Sequence, residues 1–197
     1  LVKQNNSNIF NQEIIIKKAL ISVTDKNGID ILAIELVKQG IEILSTGGTA
    51  KLLKGKLIPV KDVSEETLFP EILNGRVKTL HPKIYGGILN RRNDASHQQE
   101  IERHNINEID LIIINLYKFK ETVAKTNSEF DILENIDIGG PAMIRAGAKN
   151  HEFVTVITDS NDYPELIKQI QKNKSTTYSF RKTLARKAFK LTSDYDN

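Results

Sequence analysis

The sequence contains no cysteine and no tryptophan, and only 6% of its residues are aromatic. Without thiols, disulfides and thiolate metal sites are excluded. The four histidines also lack metal-ligand spacing such as HExxH, so we expect no metal. A net charge of only +3 and the shortage of aromatic stacking platforms argue against a nucleic-acid partner.

Long apolar runs are missing as well. No run approaches the roughly 20 residues that a membrane helix requires, and the polar start, LVKQNNSNIFNQ, has no signal-peptide core. We therefore expect no membrane partner and a cytoplasmic location. The chain begins without Met and stops at SDYDN without a helix stop signal, so we expect it to be part of a longer protein.

The pattern of the remaining residues favours an α/β fold. Short β-branched runs alternate with helical periodicity, which is typical of a parallel sheet covered by helices. We expect a polar extension over residues 1–17 and one three-layer α/β/α domain with a mostly parallel sheet over 18–197. The predicted strands cover 18–24, 41–44, 60–63, 110–116 and 154–157. The predicted helices cover 28–39, a segment within STGGTAKLL, a short stretch near 69–73, 97–104, a segment opened by Pro141, and two segments after the last strand.

Polar clusters follow several predicted strands where each strand ends. In open α/β sheets, ligands bind beyond the carboxyl ends of the strands, so we expect these clusters to converge. They are Thr24-Asp25-Lys26, Ser45 to Thr49, Asn115-Leu116-Tyr117 and the loop that carries Asp137.

The segment from Ser45 to Thr49 is the candidate phosphate site. Its paired glycines allow close backbone approach, its hydroxyls can donate, and the helix that follows offers free N–H groups. It matches neither the Walker spacing nor GxGxxG. With Lys26 and either Arg76 or Lys78 nearby, it predicts a cradle for one phosphate monoester.

The run RVKTLHP, from Arg76 to Pro82, combines four polar functions on what glycines on both sides mark as a loop. That combination suits an anionic, hydrogen-bonding small molecule, and the alternative is a solvated surface loop. His81 is expected to brace the loop. Asp137 is either a helix cap or a carboxylate poised to remove a proton, and Lys149 by itself is typical of a helix end.

Several ordered motifs together resemble one family, the IMP cyclohydrolase domain at the N-terminus of the bifunctional purine-biosynthesis enzymes (the PurH family). They extend from about Lys18 to Tyr195: SVTDKNGI, STGGTAKLL, FPEILNGRVKTLHP, NLY, DIGGPAMIRAGAKNH and LTSDYD. The resemblance implies a methylglyoxal synthase-like fold. It also implies dehydrative ring closure of formyl-aminoimidazole-carboxamide ribotide (FAICAR) to IMP without a cofactor, in a homodimer. The resemblance further implies that the family's transformylase domain, which uses a folate formyl donor, lies outside these 197 residues.

The same resemblance implies residue roles. Asp137 would be the base and Lys149 the proton donor and acceptor, while Lys78 and Tyr117 would stabilise developing charge. The implied substrate-binding residues are Thr24, Asp25, Lys26, Thr46, Gly47, Gly48, Thr49, Arg76, Val77, Thr79, Asn115 and Ile138.

One tension remains between two of these roles. A straight helix from Gly139 to Lys149 would separate its ends by roughly 15 Å. Either the helix breaks near Gly147, or one of the two residues comes from another subunit, or one of the two roles is wrongly assigned.

Two other functions are compatible with the expected fold. Methylglyoxal synthase shares the fold and a phosphate site, but it requires neither RVKTLHP nor DIGGPAMIRAGAKN. A regulatory domain, like the allosteric domain of carbamoyl-phosphate synthetases, would bind a nucleotide without reacting it. The presence of Lys78, Tyr117, Asp137 and Lys149 favours catalysis.

Overall fold

The computed structural model describes residues 12–116 and 128–197, and its centre is a five-stranded, entirely parallel sheet of order β4-β3-β2-β5-β6. Two short strands, β1 and β7, pair antiparallel beside it. The strands are β1 Ile14–Ile15, β2 Lys18–Ser22, β3 Glu42–Ser45, β4 Lys61–Asp62, β5 Leu111–Ile114, β6 Thr155–Ile157 and β7 Ser175–Thr176.

Helices cover both faces of this sheet because alternate strand residues point to opposite sides. Ile21 belongs to an apolar cluster with Leu32 of α1 and Leu166 of α8, whereas Leu20 belongs to a second cluster with Ile84 of α4 and Ile144 of α7. The three-layer α/β/α prediction is therefore confirmed. The helices are α1 Ile29–Lys38, α2 Gly47–Gly55, α3 Val63–Thr67, α4 Pro82–Leu89, α5 Ala95–Arg103, α6 Glu129–Glu134, α7 Gly139–Lys149, α8 Tyr163–Asn173 and α9 Tyr178–Asp196.

The structure corrects the sequence prediction in the region around RVKTLHP. The short helix expected near 69–73 is displaced to Val63–Thr67, where Asp62 and Glu65 form a capping box. Gly86 and Gly87, which helped to mark RVKTLHP as a loop, lie within helix α4, and this helix begins at Pro82. Gly87 allows α4 to pack closely against the chain at residue 107, since an added Cβ would lie 2.4 Å from the backbone oxygen of that residue.

The inner part of the expected N-terminal extension belongs to the domain. Ile16 is fully buried, Ile14 is buried, and Ile14–Ile15 pairs with β7. Burial of these apolar side chains stabilises the fold, so the segment that carries them is part of the domain. The domain therefore begins before the predicted boundary at residue 18.

Helix α7 runs without interruption through Gly147. A Cβ added at Gly147 would lie 2.8 Å from Ile112 Cδ1, so the glycine lets the helix lie close against β5. A break near Gly147, one of the three ways to bring Asp137 and Lys149 together, is excluded. Within the described residues, no helix is both long enough and apolar enough to cross a membrane.

Candidate active site

A cavity of about 580 Å³ lies where the carboxyl ends of β2, β3 and β5 meet. The strand order reverses beside β2, and such switch points leave a crevice outside the strand ends. The volume is within the usual range for small-molecule sites. The cavity is lined by residues 22–24, Lys26, residues 46–49, 74–80, 114–115 and 133–140, and Met143.

One end of the cavity, here called the anion end, is formed by the first turn of α2 and two lysines. A Cβ added at Gly47 would lie 3.9 Å from Lys78 Nζ, and one added at Gly48 would lie 3.8 Å from Lys26 Nζ. The first-turn amides of a helix have no partner within the helix, and they carry a partial positive charge. Two ammonium groups and these amides together favour a bound anion such as a phosphate.

Two hydroxyls of the predicted phosphate segment have other partners. Thr49 Oγ1 accepts from Val23 N at 3.1 Å and donates to Val23 O at 2.9 Å, while Ser45 Oγ donates to Ile21 O at 2.7 Å. Each hydroxyl has a single proton to donate. In this structure the hydroxyl protons of Thr49 and Ser45 are therefore used within the domain. Thr46, Gly47, Gly48 and Thr49 line the cavity, whereas Ser45 does not.

Asn115 joins the ends of β2 and β5. Its Oδ1 accepts from the backbone N–H groups of Thr24 at 2.6 Å and Asp25 at 3.1 Å, and its Nδ2 donates to Asp25 O at 2.8 Å. These bonds fix the loop that carries Lys26. Asp25 itself does not line the cavity, because its carboxylate turns to accept from Asn27 N at 3.0 Å.

The loop from Arg76 to Thr79 is presented to the cavity by an unusual turn. Leu73, Asn74 and Gly75 all have positive φ, of 53°, 53° and 89°. Non-glycine residues in this conformation cost about 1–2 kcal/mol each. The turn places Arg76, Val77, Lys78 and Thr79 along the cavity wall, as expected from the sequence.

Within this loop, Arg76 and Thr79 differ in exposure. Thr79 is buried, and a Cβ added at Gly139 would lie 3.0 Å from its Oγ1. The side chain of Arg76 is 70% exposed and lies 3.8 Å from a carboxylate oxygen of Glu134. Since Glu134 also lines the cavity, this weak ion pair spans its rim.

At the other end of the cavity, here called the carboxylate end, lies half-buried Asp137. Its Oδ1 accepts from Gly140 N at 2.8 Å, so Asp137 does cap α7. A Cβ added at Gly140 would lie only 2.3 Å from Oδ2, so glycine is required beside this carboxylate. The bond from Gly140 N occupies only one carboxylate oxygen, and Asp137 also lines the cavity, so the two interpretations of Asp137 are compatible.

Two tyrosines near Asp137 were missed by sequence reasoning. The Tyr195 hydroxyl accepts from Asp137 N at 2.9 Å. The Tyr85 hydroxyl is buried and has no hydrogen-bond partner within the described part of the chain, and burial together with the charge of Asp137 raises its pKa to about 12. Neither contact has a local sequence signal, because 52 and 58 residues separate the partners.

The structure does not bring every predicted residue to the cavity. Lys149 is exposed at the far end of α7, roughly 15 Å along the helix from Gly139. There it lines a second cavity of about 480 Å³ together with Arg91, His97 and His151. Within one chain, the pairing of Asp137 with Lys149 is therefore wrong. Ile138 lines the main cavity, and Tyr117 lies outside the described residues.

Comparison with known proteins agrees with the fold. The model of the MGS-like domain matches residues 28–142, and the model of the AICARFT/IMPCHase bienzyme matches residues 147–197. The crystal structure of ForH superposes with a TM-score of 0.81 at 32% sequence identity, covering 92% of this chain and 95% of that one.

The chain is also similar to proteins named bifunctional purine biosynthesis protein PurH. The identity is 51% over 182 residues for the protein of Lysinibacillus sphaericus (strain C3-41) and 54% over 183 residues for that of Rhizobium rhizogenes (strain K84 / ATCC BAA-868). Each alignment covers 92% of this chain but only 36% and 34% of the relative, so the chain spans about a third of their length. The model of the MGS-like domain matches residues 28–142, which is more than half of the chain. The chain therefore belongs to the MGS-like domain family.

Proposed function

We propose that this chain is an IMP cyclohydrolase, which closes the ring of FAICAR to form IMP and water. The observation that carries the proposal is that one cavity joins an anion end to a carboxylate end. A ribotide has the same two parts, a phosphate and a reacting heterocycle. Similarity to the PurH proteins supports this choice among the reactions compatible with the fold.

In this proposal the phosphate binds at the anion end. Lys26, Lys78 and the first-turn amides of α2 would neutralise it, and Asn115 would hold the loop of Lys26 in place. Charge-assisted hydrogen bonds of this kind are roughly twice as strong as neutral ones. With its phosphate anchored, the ribotide would direct its base toward Asp137, and holding the reacting groups together supplies a large part of the rate in an intramolecular closure.

Ring closure requires two proton losses from nitrogen. The carboxamide nitrogen attacks the formyl carbon, forming a C–N bond and converting the carbonyl into an alkoxide. The oxygen then leaves as water, carrying one proton from the carboxamide nitrogen and one from the formamido nitrogen, while a C=N bond forms. Asp137 would take the proton of the attacking nitrogen, a step that contributes about 10²–10⁴-fold.

Lys78 is the cation proposed to stabilise the alkoxide and to return a proton to the leaving oxygen. Besides its place at the anion end, Lys78 belongs to the loop that lines the main cavity, whereas Lys149 lies outside the cavity of its own chain. Tyr117 stays a prediction for the same stabilising role. We further propose that cyclisation needs no cofactor, and that the protein acts in the cytoplasm as a homodimer.

The test is to incubate the purified 197-residue chain with FAICAR and to follow IMP absorbance. We expect turnover in the absence of any added folate or metal. A folded chain that binds IMP but does not form it from FAICAR would contradict the proposal and favour the regulatory, nucleotide-binding alternative. Release of methylglyoxal from dihydroxyacetone phosphate would instead identify the other enzyme considered for this fold.

A further inference from the structure

The last helix contacts Asp137, at the carboxylate end of the cavity. Tyr195, close to the end of α9, accepts a hydrogen bond from the backbone N–H of Asp137 at 2.9 Å. Asp137 is thereby held at two points, since its Oδ1 also accepts from Gly140 N at 2.8 Å. One bond fixes the main chain of the residue and the other fixes its carboxylate.

Helix α9 is well placed to hold that contact. Ala185 and Ala188 are buried in the same apolar cluster as Met143 and Ile144 of α7. The other end of α9 is anchored by fully buried Arg181, whose guanidinium donates to the carbonyl oxygens of Gln12, His151, Glu152 and Thr176. The hydroxyl of Tyr195 is therefore carried by a helix that is fixed against the body of the domain.

Tyr195 stands behind Asp137 rather than in the cavity, since it is not among the lining residues. Burial and the nearby charge of Asp137 raise the pKa of Tyr195, although the bond from the Asp137 backbone acts in the opposite direction. The hydroxyl therefore stays neutral at physiological pH and can keep accepting the N–H.

We propose that Tyr195 is a positioning residue, which orients the carboxylate of Asp137 toward the cavity without touching the substrate. This inference rests on the proposed function, because it assigns Tyr195 to the base of that reaction. Displacements of about 1 Å in a catalytic group can reduce a rate by about 10²-fold. Losing one of two restraints should allow a smaller displacement of this kind.

The test is Tyr195→Phe, which removes the hydroxyl and keeps the ring. The matched control is Tyr178→Phe, which removes a hydroxyl at the opposite end of the same helix. We expect kcat for FAICAR to fall about tenfold in Tyr195→Phe, with KM within about twofold of the wild type, because substrate contacts are intact. In Tyr178→Phe both constants should stay near wild type. Thermal denaturation should show both variants folded.

Amide hydrogen exchange gives a readout that is independent of activity. The N–H of Asp137 should exchange faster in Tyr195→Phe than in the wild type, and at the wild-type rate in Tyr178→Phe. Unchanged exchange at Asp137, or an unchanged kcat in an active enzyme, would overturn the inference. A wild-type chain without turnover would refute the proposed function alone, and exchange at Asp137 would still decide whether Tyr195 positions that residue.

Discussion

The anion end and the carboxylate end of the cavity are built in different ways. The anion end consists of main-chain amides at the start of α2, with Lys26 and Lys78 above them. The carboxylate end depends on one side chain, Asp137, whose position is set by Gly140 and Tyr195. Binding is thus shared among several groups, whereas the proposed proton transfer depends on one.

This difference predicts that the largest loss of activity follows from Asp137→Asn. The amide oxygen can still accept from Gly140 N, so the cap of α7 is preserved. An amide cannot serve as the base, and kcat should fall by about 10²–10⁴-fold. Steady-state kinetics with FAICAR measures kcat, and calorimetry with IMP should give a Kd close to wild type. A large rise in Kd would mean that Asp137 also contributes to the binding of IMP.

The next largest effect should follow from Lys26→Met, which removes one cation from the anion end. A lost charge-assisted hydrogen bond corresponds to about 10–100-fold in affinity. Titration with IMP at low and high salt should show weaker binding and a smaller salt dependence than in the wild type. Lys51→Met is the matched control, because exposed Lys51 lies on α2 outside the cavity. Equal losses in the two variants would indicate a general charge effect instead of a phosphate site.

Gly140→Ala should impair the carboxylate end without removing any functional group. The added Cβ would lie 2.3 Å from Asp137 Oδ2 and 2.9 Å from Leu116 Cδ2, so the loop must shift. We expect unfolding free energy to fall by about 1–3 kcal/mol and kcat by about tenfold. Denaturant unfolding and FAICAR kinetics measure the two effects.

Gly55→Ala is the control for Gly140→Ala. A Cβ added at Gly55 meets nothing within 4 Å, so this variant should be neutral or more stable by up to about 1 kcal/mol. If Gly140→Ala kept full activity, the carboxylate would tolerate displacement. The two-point support of Asp137 would then have no catalytic consequence.

The two ends also differ in how far the sequence predicts them. The anion end follows from a local pattern, a strand followed by STGGTAKLL, and the parallel sheet brings Lys26 beside it. Even there, the partner of the Thr49 hydroxyl could not be predicted, because Val23 contacts it only through β2–α2 packing. Similarly, Gly86 and Gly87 helped to mark RVKTLHP as a loop, but both lie within α4, where they allow close packing against residues 106 and 107.

At the carboxylate end, the sequence identified Asp137 but not its support. Tyr195 is 58 residues away, and its contact depends on how α9 lies across α7. Motif resemblance also paired Asp137 with Lys149, since resemblance transfers roles without distances. In the structure, Asp137 and Lys149 are separated by the length of helix α7. The sequence alone could not show this, because it does not tell whether α7 continues unbroken through Gly147.

Lys149→Ala should therefore have the smallest effect. Its side chain is exposed and lines the second cavity, so the variant removes no group from the main cavity of the same chain. We expect kcat to stay within about threefold of wild type because the reacting groups proposed here are intact, and we expect the unfolding free energy to change by no more than about 0.5 kcal/mol. FAICAR kinetics of Lys149→Ala beside Asp137→Asn measures the contrast. A loss as large as that of Asp137→Asn would show that Lys149 acts from a second copy of the chain, and a mixture of the two variants should then recover activity through sites that combine an intact Asp137 with an intact Lys149.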